Sequence, residues 1–556
     1  MDVNPILAET GFTLIPIIIT IICVFATRRI LLSLFVGIIA AALMAANFNL
    51  FDTVMLIERT VTDILFAGSR HDVVNTDGNE VTVIVYGATA LFSIFSRWYM
   101  SIIIFLLGLG IVTTTVVMTG SAKAFVNSVA STVKTRKGVQ FMTVLIGIVL
   151  MIDDYFNAMV NGNIAKTVSA DHKLSRARSA YIVDSIAAPI CIVAPVSSWA
   201  VAIMGNMERV YDDIGVDSNV FFDFLRMIPF QFYVFAAIGL VIVTICTDFN
   251  MFSMRKYEKH IIETGVDIAA EDGATGLIAD GQSTKGQVWE FWLPIICLAG
   301  ATIGTMFFTG LQASDPTQIY EGGAIYAILD NMSLSMSLLM GGIAAIVSSM
   351  YIAARHVKMG EVTKQQYQST IIAGLKSMVN PITILILSWT ISTLIGHLAV
   401  GRWVASILYE AGIYGGFIPF IMFISAALLA FAIGTSWGTF AIVLPIAGQV
   451  VLETGNMQLL LPAMAAVLSG AVFGDHSSPI SDTTVLSSAG TSCKVLSHFE
   501  SQLPYAILAA ILTAVGFLFF GLTGIVFVGY IAFGVALALT VIVFMAVKKS
   551  RGNTAY

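Results

Sequence analysis

Apolar runs about as long as a bilayer is thick recur along this chain from one end to the other. "FTLIPIIITIICVFAT" (12–27), "FWLPIICLAGATIGTMFFTG" (291–310) and "GIVFVGYIAFGVALALTVIVFMAV" (524–547) approach or exceed the roughly 20 residues that carry a helix across hydrocarbon. Lipid offers no partner to a backbone N–H or C=O, so runs of this kind have to be helical. The expected fold class is an all-α polytopic membrane protein of about 11 transmembrane helices. A soluble globular domain is excluded, because 57% of the residues are hydrophobic and only 11% are charged. The opening "MDVNPILAETG" carries acids and no basic stretch, so 12–27 reads as a retained first span and not as a cleaved leader. Cys23, Cys191, Cys246, Cys297 and Cys493 show no paired metal spacing and read as free thiols.

Basic residues mark cytoplasmic loops. With the N-terminus outside, only Arg59, Arg70, Arg97, Arg209, Arg226 and Arg402, of the 28 lysines and arginines, fall in outer segments. The expected location is a cell membrane, the bacterial inner membrane, crossed many times, with the C-terminal "KKSRG" cytoplasmic. Both flanks of 138–165 are then inside, so that segment enters and returns. Its polar middle, Asp153, Asp154, Tyr155 and Asn157, forms the tip of a re-entrant hairpin, tolerated only where protein or trapped water covers the open backbone. A second hairpin, 417–451, turns at "GTSWGT" (434–439) and enters from outside, aiming Thr435, Ser436 and Thr439 at the first tip.

The segments after the hairpins match each other. In "APICIVAPVSSWA" (188–200) and "SPISDTTVLSSAG" (478–490), Pro189 pairs with Pro479, and Ser197 and Ser198 pair with Ser487 and Ser488. Asp184 pairs with Asp475 after a one-residue shift. Two halves of opposite orientation, each with a re-entrant hairpin and a broken helix, follow the inverted-repeat plan of secondary transporters. The expected boundaries are 1–247 for the first repeat, 248–288 for a cytoplasmic linker holding the turn-rich "EDGATGLIADGQSTKG", 289–523 for the second repeat, and 524–556 for an extra helix and basic tail. The segment 81–95 has no assigned place in this scheme.

The most polar stretch inside the apolar background is "FGDHSSPISDTTVLSSAG" (473–490). Proline lacks an amide hydrogen and crowds the carbonyl four residues back. Pro479 should therefore free the carbonyl of Asp475, Pro189 that of Ser185, and Pro195 that of Cys191. Ser477, Ser478, Ser481, Thr483 and Thr484 add hydroxyls, and an all-oxygen set suits a hard cation such as Na+. Removal from water favours the neutral form of a carboxylate, whereas a bound cation favours the ionised form. Na+ and H+ can thus compete for one acid, Asp482 or Asp475, beside Ser481 and Thr483. Asp482 is the first choice, because Ile192 stands at its matching position. Asp153 or Asp154, with Asn157 and Asn161, would complete the cation site or its access path. Asp184 is either an ion- or proton-coupling group or a helix cap, and His476 a gate, a proton relay or a structural residue. The plainer alternatives are a kinked helix whose hydroxyls bond their own backbone and a hairpin tip that reaches water.

The string "GDHSSPISDTT" resembles the signature of NhaC-type Na+/H+ antiporters, and the paired hairpins and broken helices resemble the ion transporter superfamily that contains them. The resemblance implies a secondary transporter, not an enzyme, exchanging Na+ for H+ by alternating access. Relatives of this type include exchangers of malate and lactate and carriers of amino acids, so a coupled carrier of a small organic solute stands as the alternative. An intramembrane aspartyl protease is disfavoured, because Val472 occupies the place of the first glycine in its Gly-x-Gly-Asp string. The expected partners are Na+, H+ and the lipid bilayer, with no nucleic acid and no cofactor; a homo-oligomer is left open.

Overall fold

The structure is a computed structural model that describes residues 10–550, apart from 28, 67–69, 75–79, 85–97, 131–133, 271–284, 314–327, 329–330, 401–402, 404–405, 408–409, 411–414 and 480. It opens with α1 (Ile15–Thr27), α2 (Ile30–Ala45) and α3 (Leu50–Phe66). A short antiparallel ribbon follows, β1 (Arg70–Val74) with β2 (Glu80–Ile84), Arg70 facing Ile84. This ribbon takes up 81–84 of the unassigned segment; 85–95 lies outside the described residues. Next come α4 (Trp98–Met118), α5 (Ser121–Ala130), α6 (Arg136–Val149), α7 (Asp154–Asp171), α8 (Arg176–Cys191), α9 (Ser198–Ile214), α10 (Val220–Met227), α11 (Phe232–Thr247) and α12 (Phe252–Thr264). The second part holds α13 (Val288–Ala313), α14 (Leu334–Lys358), α15 (Lys364–Ser377), α16 (Val379–His397), α17 (Ile418–Ile433), α18 (Ser436–Glu453), α19 (Leu460–His476), α20 (Asp482–Thr491), α21 (Val495–Thr523) and α22 (Val526–Ser550).

Ten described stretches are long and apolar enough to cross a membrane, against an expectation of about 11. The leading apolar helices, at Gly11–Cys23 and Leu31–Ala45, fall short of that length. The interior is built with small residues: Ala463, Ala465, Ala466 and Ala471 are fully buried along α19, which lies against α17. A Cβ on Gly474 would come within 2.4 Å of the Phe431 nitrogen, and one on Gly470 within 2.3 Å of the Phe423 oxygen. Only glycine permits that approach, which is how small residues bring membrane helices together. The contact sets the end of α19 beside the α17–α18 turn.

Two helix–turn–helix pairs and two interrupted helices form, the pairs at the polar tips. In the first pair Asp153 caps α7, accepting from the Phe156 amide at 2.9 Å. In the second, Gly434 takes a left-handed conformation (φ 76°) that ends α17 and lets Thr435 lead into α18. The first interrupted helix is α8–α9, broken over 192–197; the second is α19–α20, broken over 477–481.

The position of the first break corrects the alignment made on the sequence. Pro189 lies inside α8, and Pro195 lies in the break, where Pro479 lies in the other. Ser197 and Ser481, each the N-cap of the helix after its break, are the serines that correspond. Aligned on these two breaks, Asp482 falls opposite Ser198 and not Ile192. The carbonyl of Cys191 accepts from Ser197 Oγ at 2.7 Å, while that of Asp475 is taken by the Ser478 amide at 3.1 Å and is not free. The 248–288 segment is structured in its first part: α12 is followed by Asp267–Ala270, which docks on Cys493 and Lys494. Its residues 271–284 lie outside the described residues. Arg178 is buried in α8 against Gln140 and Thr244.

Candidate functional site

Asp475, the second-last residue of α19, is 1% exposed. Its Oδ2 accepts from the Ser436 amide (3.0 Å) and the Ser436 hydroxyl (2.8 Å), which the α17–α18 turn presents. Its Oδ1 accepts from the Ser481 hydroxyl and lies 3.5 Å from Thr483 Oγ1; those two hydroxyls are 2.9 Å apart. Ser478 is buried in the same break, and its hydroxyl has no hydrogen-bond partner among the described residues. One carboxylate thus sits among hydroxyls from a hairpin tip, a helix break and the helix beyond it. Each hydroxyl can rotate to donate to the acid or to present lone pairs to a cation. The donors around Asp475 are oxygens apart from one amide, the chemistry of a hard cation. No group of three or more His, Cys, Asp or Glu able to hold a metal occurs among the described residues.

Asp482 opens α20 half-buried. Its Oδ2 accepts from the phenol of Tyr155, at the tip of the first pair, and its Oδ1 from the Thr483 amide at 3.0 Å. The two tips therefore meet the second break from either side, Tyr155 through Asp482 and Ser436 through Asp475.

The first tip is bound differently. Asp153 uses one oxygen to cap α7 and the other to accept from Ser198 Oγ at 2.9 Å, while the Ser198 amide donates to Ile152 at 2.8 Å. Asn157 and Asn161, expected in the cation site, donate instead to Gly147 (2.7 Å) and Thr143 (3.0 Å) and clamp the two arms of their own hairpin. Asp154 is buried beside Trp199, with Oδ2 unpartnered among the described residues. Thr435 supplies its carbonyl to the Thr439 hydroxyl at 3.0 Å, so Thr439 is turned to its own helix.

The sequence-derived set also divides in two. Thr484 turns away from Asp475 towards Asp184, at 3.5 Å. Around Asp184 gather Ser487 (3.1 Å), His498 (3.2 Å) and Gln502 (2.6 Å). Gln502 also donates to the His476 carbonyl at 2.6 Å. The His476 ring lies between the Ser185 hydroxyl (3.0 Å) and the Tyr233 phenol (2.7 Å), a placement that fixes its orientation. His498, Gln502, Ser185 and Tyr233 are the residues that sequence reasoning missed. The signal for two of them was present: His498 and Gln502 stand one helical turn apart on one face, just inside the basic flank at Lys494.

Comparison with known proteins gives four findings. Residues 190–522 match the pattern of the Na+/H+ antiporter family. An uncharacterized protein of Haemophilus influenzae is 34% identical over 98% of this chain and 96% of its own. A malate-2H+/Na+-lactate antiporter of Bacillus subtilis is 33% identical over 28% of this chain and 33% of its own. Among solved structures, the Alcanivorax borkumensis YdaH transporter aligns with a TM-score of 0.48 at 12% identity, covering 87% of this chain and 98% of that one.

Proposed function

This chain belongs to the Na+/H+ antiporter family, and from that premise we propose that it exchanges Na+ for H+ across a membrane by alternating access, both ions competing at Asp475 with Asp482 beside it. The observation that carries this reading is the convergence on Asp475: one buried carboxylate, hydroxyls from three elements, and a second acid on the next helix. In the proton-loaded form the carboxyl is neutral and its hydroxyl neighbours are satisfied within the cluster. In the sodium-loaded form the same hydroxyls turn their lone pairs to the ion, and the acid is ionised. Both forms are close to neutral overall, which lowers the cost of carrying the site through a low-dielectric core. The empty, ionised site is not, and that asymmetry couples the two fluxes.

In this reading the hairpins are re-entrant, the segments 1–247 and 289–523 are inverted repeats joined by a cytoplasmic linker, the N-terminus is outside and the C-terminus cytoplasmic. The test is reconstitution into vesicles holding a pH dye. Sodium chloride added outside, with no organic solute, drives Na+ in and H+ out, so the lumen becomes alkaline. A lumen that does not respond overturns plain exchange.

A second reading has its own observation, the likeness to the malate-2H+/Na+-lactate antiporter. Here the same coupling site drives a small carboxylate. The vesicle assay separates the two, because in this case proton movement appears only once such a carboxylate is supplied.

A further inference from the structure

We propose that His498, held by Asp184, is a second proton-carrying group, separate from the cluster at Asp475; this rests on the exchange reading above. The pair is geometrically distinct. Asp184 lies on α8, about 10 Å of helix short of the break at Cys191, at a rise of about 1.5 Å per residue. His498 stands one turn into α21 from Lys494, whose amide and ammonium both bond to the Ile268–Ala269 stretch that follows α12. That puts the pair beneath the basic cytoplasmic flank, and both side chains are buried.

The arrangement around the carboxylate decides which atom takes the proton. Ser487, Gln502, Thr484 and the imidazole Nε2 all converge on the two oxygens of Asp184. Donors there fit an ionised acid and an Nε2–H tautomer, the orientation that a carboxylate imposes on a histidine. The other ring nitrogen, Nδ1, is buried and has no hydrogen-bond partner among the described residues. It is a base with a free lone pair, and the imidazolium formed when it takes a proton is paired with Asp184 from the start. The titratable groups bearing on the pair from packed elements are His476 of α19, Tyr233 of α11 and Asp482 of α20. Lys166 of α7 and Glu258 of α12 are engaged with Ser492 and with Arg136. His498 touches none of the Asp475 cluster, so a proton can sit on it while sodium occupies that cluster. Asp184 acts through His498 and is a positioning residue.

The experiment uses full-length protein in vesicles with a pH dye, together with 22Na+ binding to the same purified protein. His498→Gln keeps a polar side chain and should leave Na+ binding within about twofold while slowing sodium-driven proton flux about tenfold or more, with the rate losing its dependence on cytoplasmic-side pH. Asp184→Asn, which keeps the shape but not the charge, should retain Na+ binding and move the pH profile of the rate to a new midpoint. A His498→Gln protein whose flux and pH profile match the wild type overturns the assignment alone. Loss of Na+ binding in both variants also overturns it, since the pair would then serve the cation site or the fold. Wild-type vesicles that do not respond to sodium overturn the exchange reading, and this assignment with it.

Discussion

The two tip-and-break junctions use the same two chemical groups in opposite places. At the first, the hairpin tip supplies the acid, Asp153, and the far side of the break supplies the hydroxyl, Ser198. At the second, the tip supplies the hydroxyl, Ser436, and the near side of the break supplies the acid, Asp475. The exchange alters what each acid can do. Asp153 is committed to a helix N-terminus with one oxygen and to a single serine with the other, so it works as a fastener. Asp475 lies at the end of its own helix and takes one amide, that of Ser436 at the start of α18, but its other partners are the hydroxyls of Ser436, Ser481 and Thr483, which can rotate. An acid so placed has more to gain from a cation. Two similar junctions can thus hold unlike sites by moving one carboxylate across one contact.

The comparison breaks or sharpens at several points, taken from the largest expected effect down. Asp475→Asn removes the counter-charge of a buried cation, a loss of about 3–5 kcal/mol, so Na+ affinity should fall by about a hundredfold or more. Measured 22Na+ binding equal to the wild type would remove the residue from the site. Tyr155→Phe deletes the phenol that ties the first tip to Asp482, a hydrogen bond to a charged group worth about 1.5–3 kcal/mol. Exchange should slow about tenfold while both hairpins stay folded; an unchanged rate means the halves do not communicate there. Competition at one carboxylate fixes a sign for pH: protons fill the site as pH falls, so apparent Na+ affinity weakens in acid, approaching about tenfold per pH unit. A sodium affinity constant from pH 6 to pH 9 would contradict the shared acid. Asp153→Asn is the control and the smallest change, costing about 1 kcal/mol of stability in a thermal melt through a weaker cap. Should it instead abolish Na+ binding, the two junctions are functional equals and the contrast fails.

Much of this was legible in the sequence, for physical reasons that act locally. The span lengths follow from hydrocarbon thickness, and the hairpin tips follow from polar residues between basic or apolar flanks. A break near Pro479 follows from a missing amide. The register of the first break was not legible: Pro189 shares a spacing with Pro479, yet a helix tolerates one proline, and it is Pro195, just past the end of α8, that lies in the gap. Adjacency in sequence makes Thr483 and Thr484 look like one ligand group. Neighbours on a helix point about 100° apart, and these two face different aspartates. His498 and Gln502 approach Asp184 across more than 300 residues of chain, a proximity that no local pattern encodes.

The glycine seam along α19 has a mechanical side. Where Gly470 and Gly474 let two backbones touch, α17 and the first segment of the broken helix have no slack between them and travel as one slab. If the protein works by alternating access, the joint that slides in each cycle lies outside this seam. A covalent staple over the seam would then leave turnover untouched, and one that slowed it would place the moving joint between these two helices.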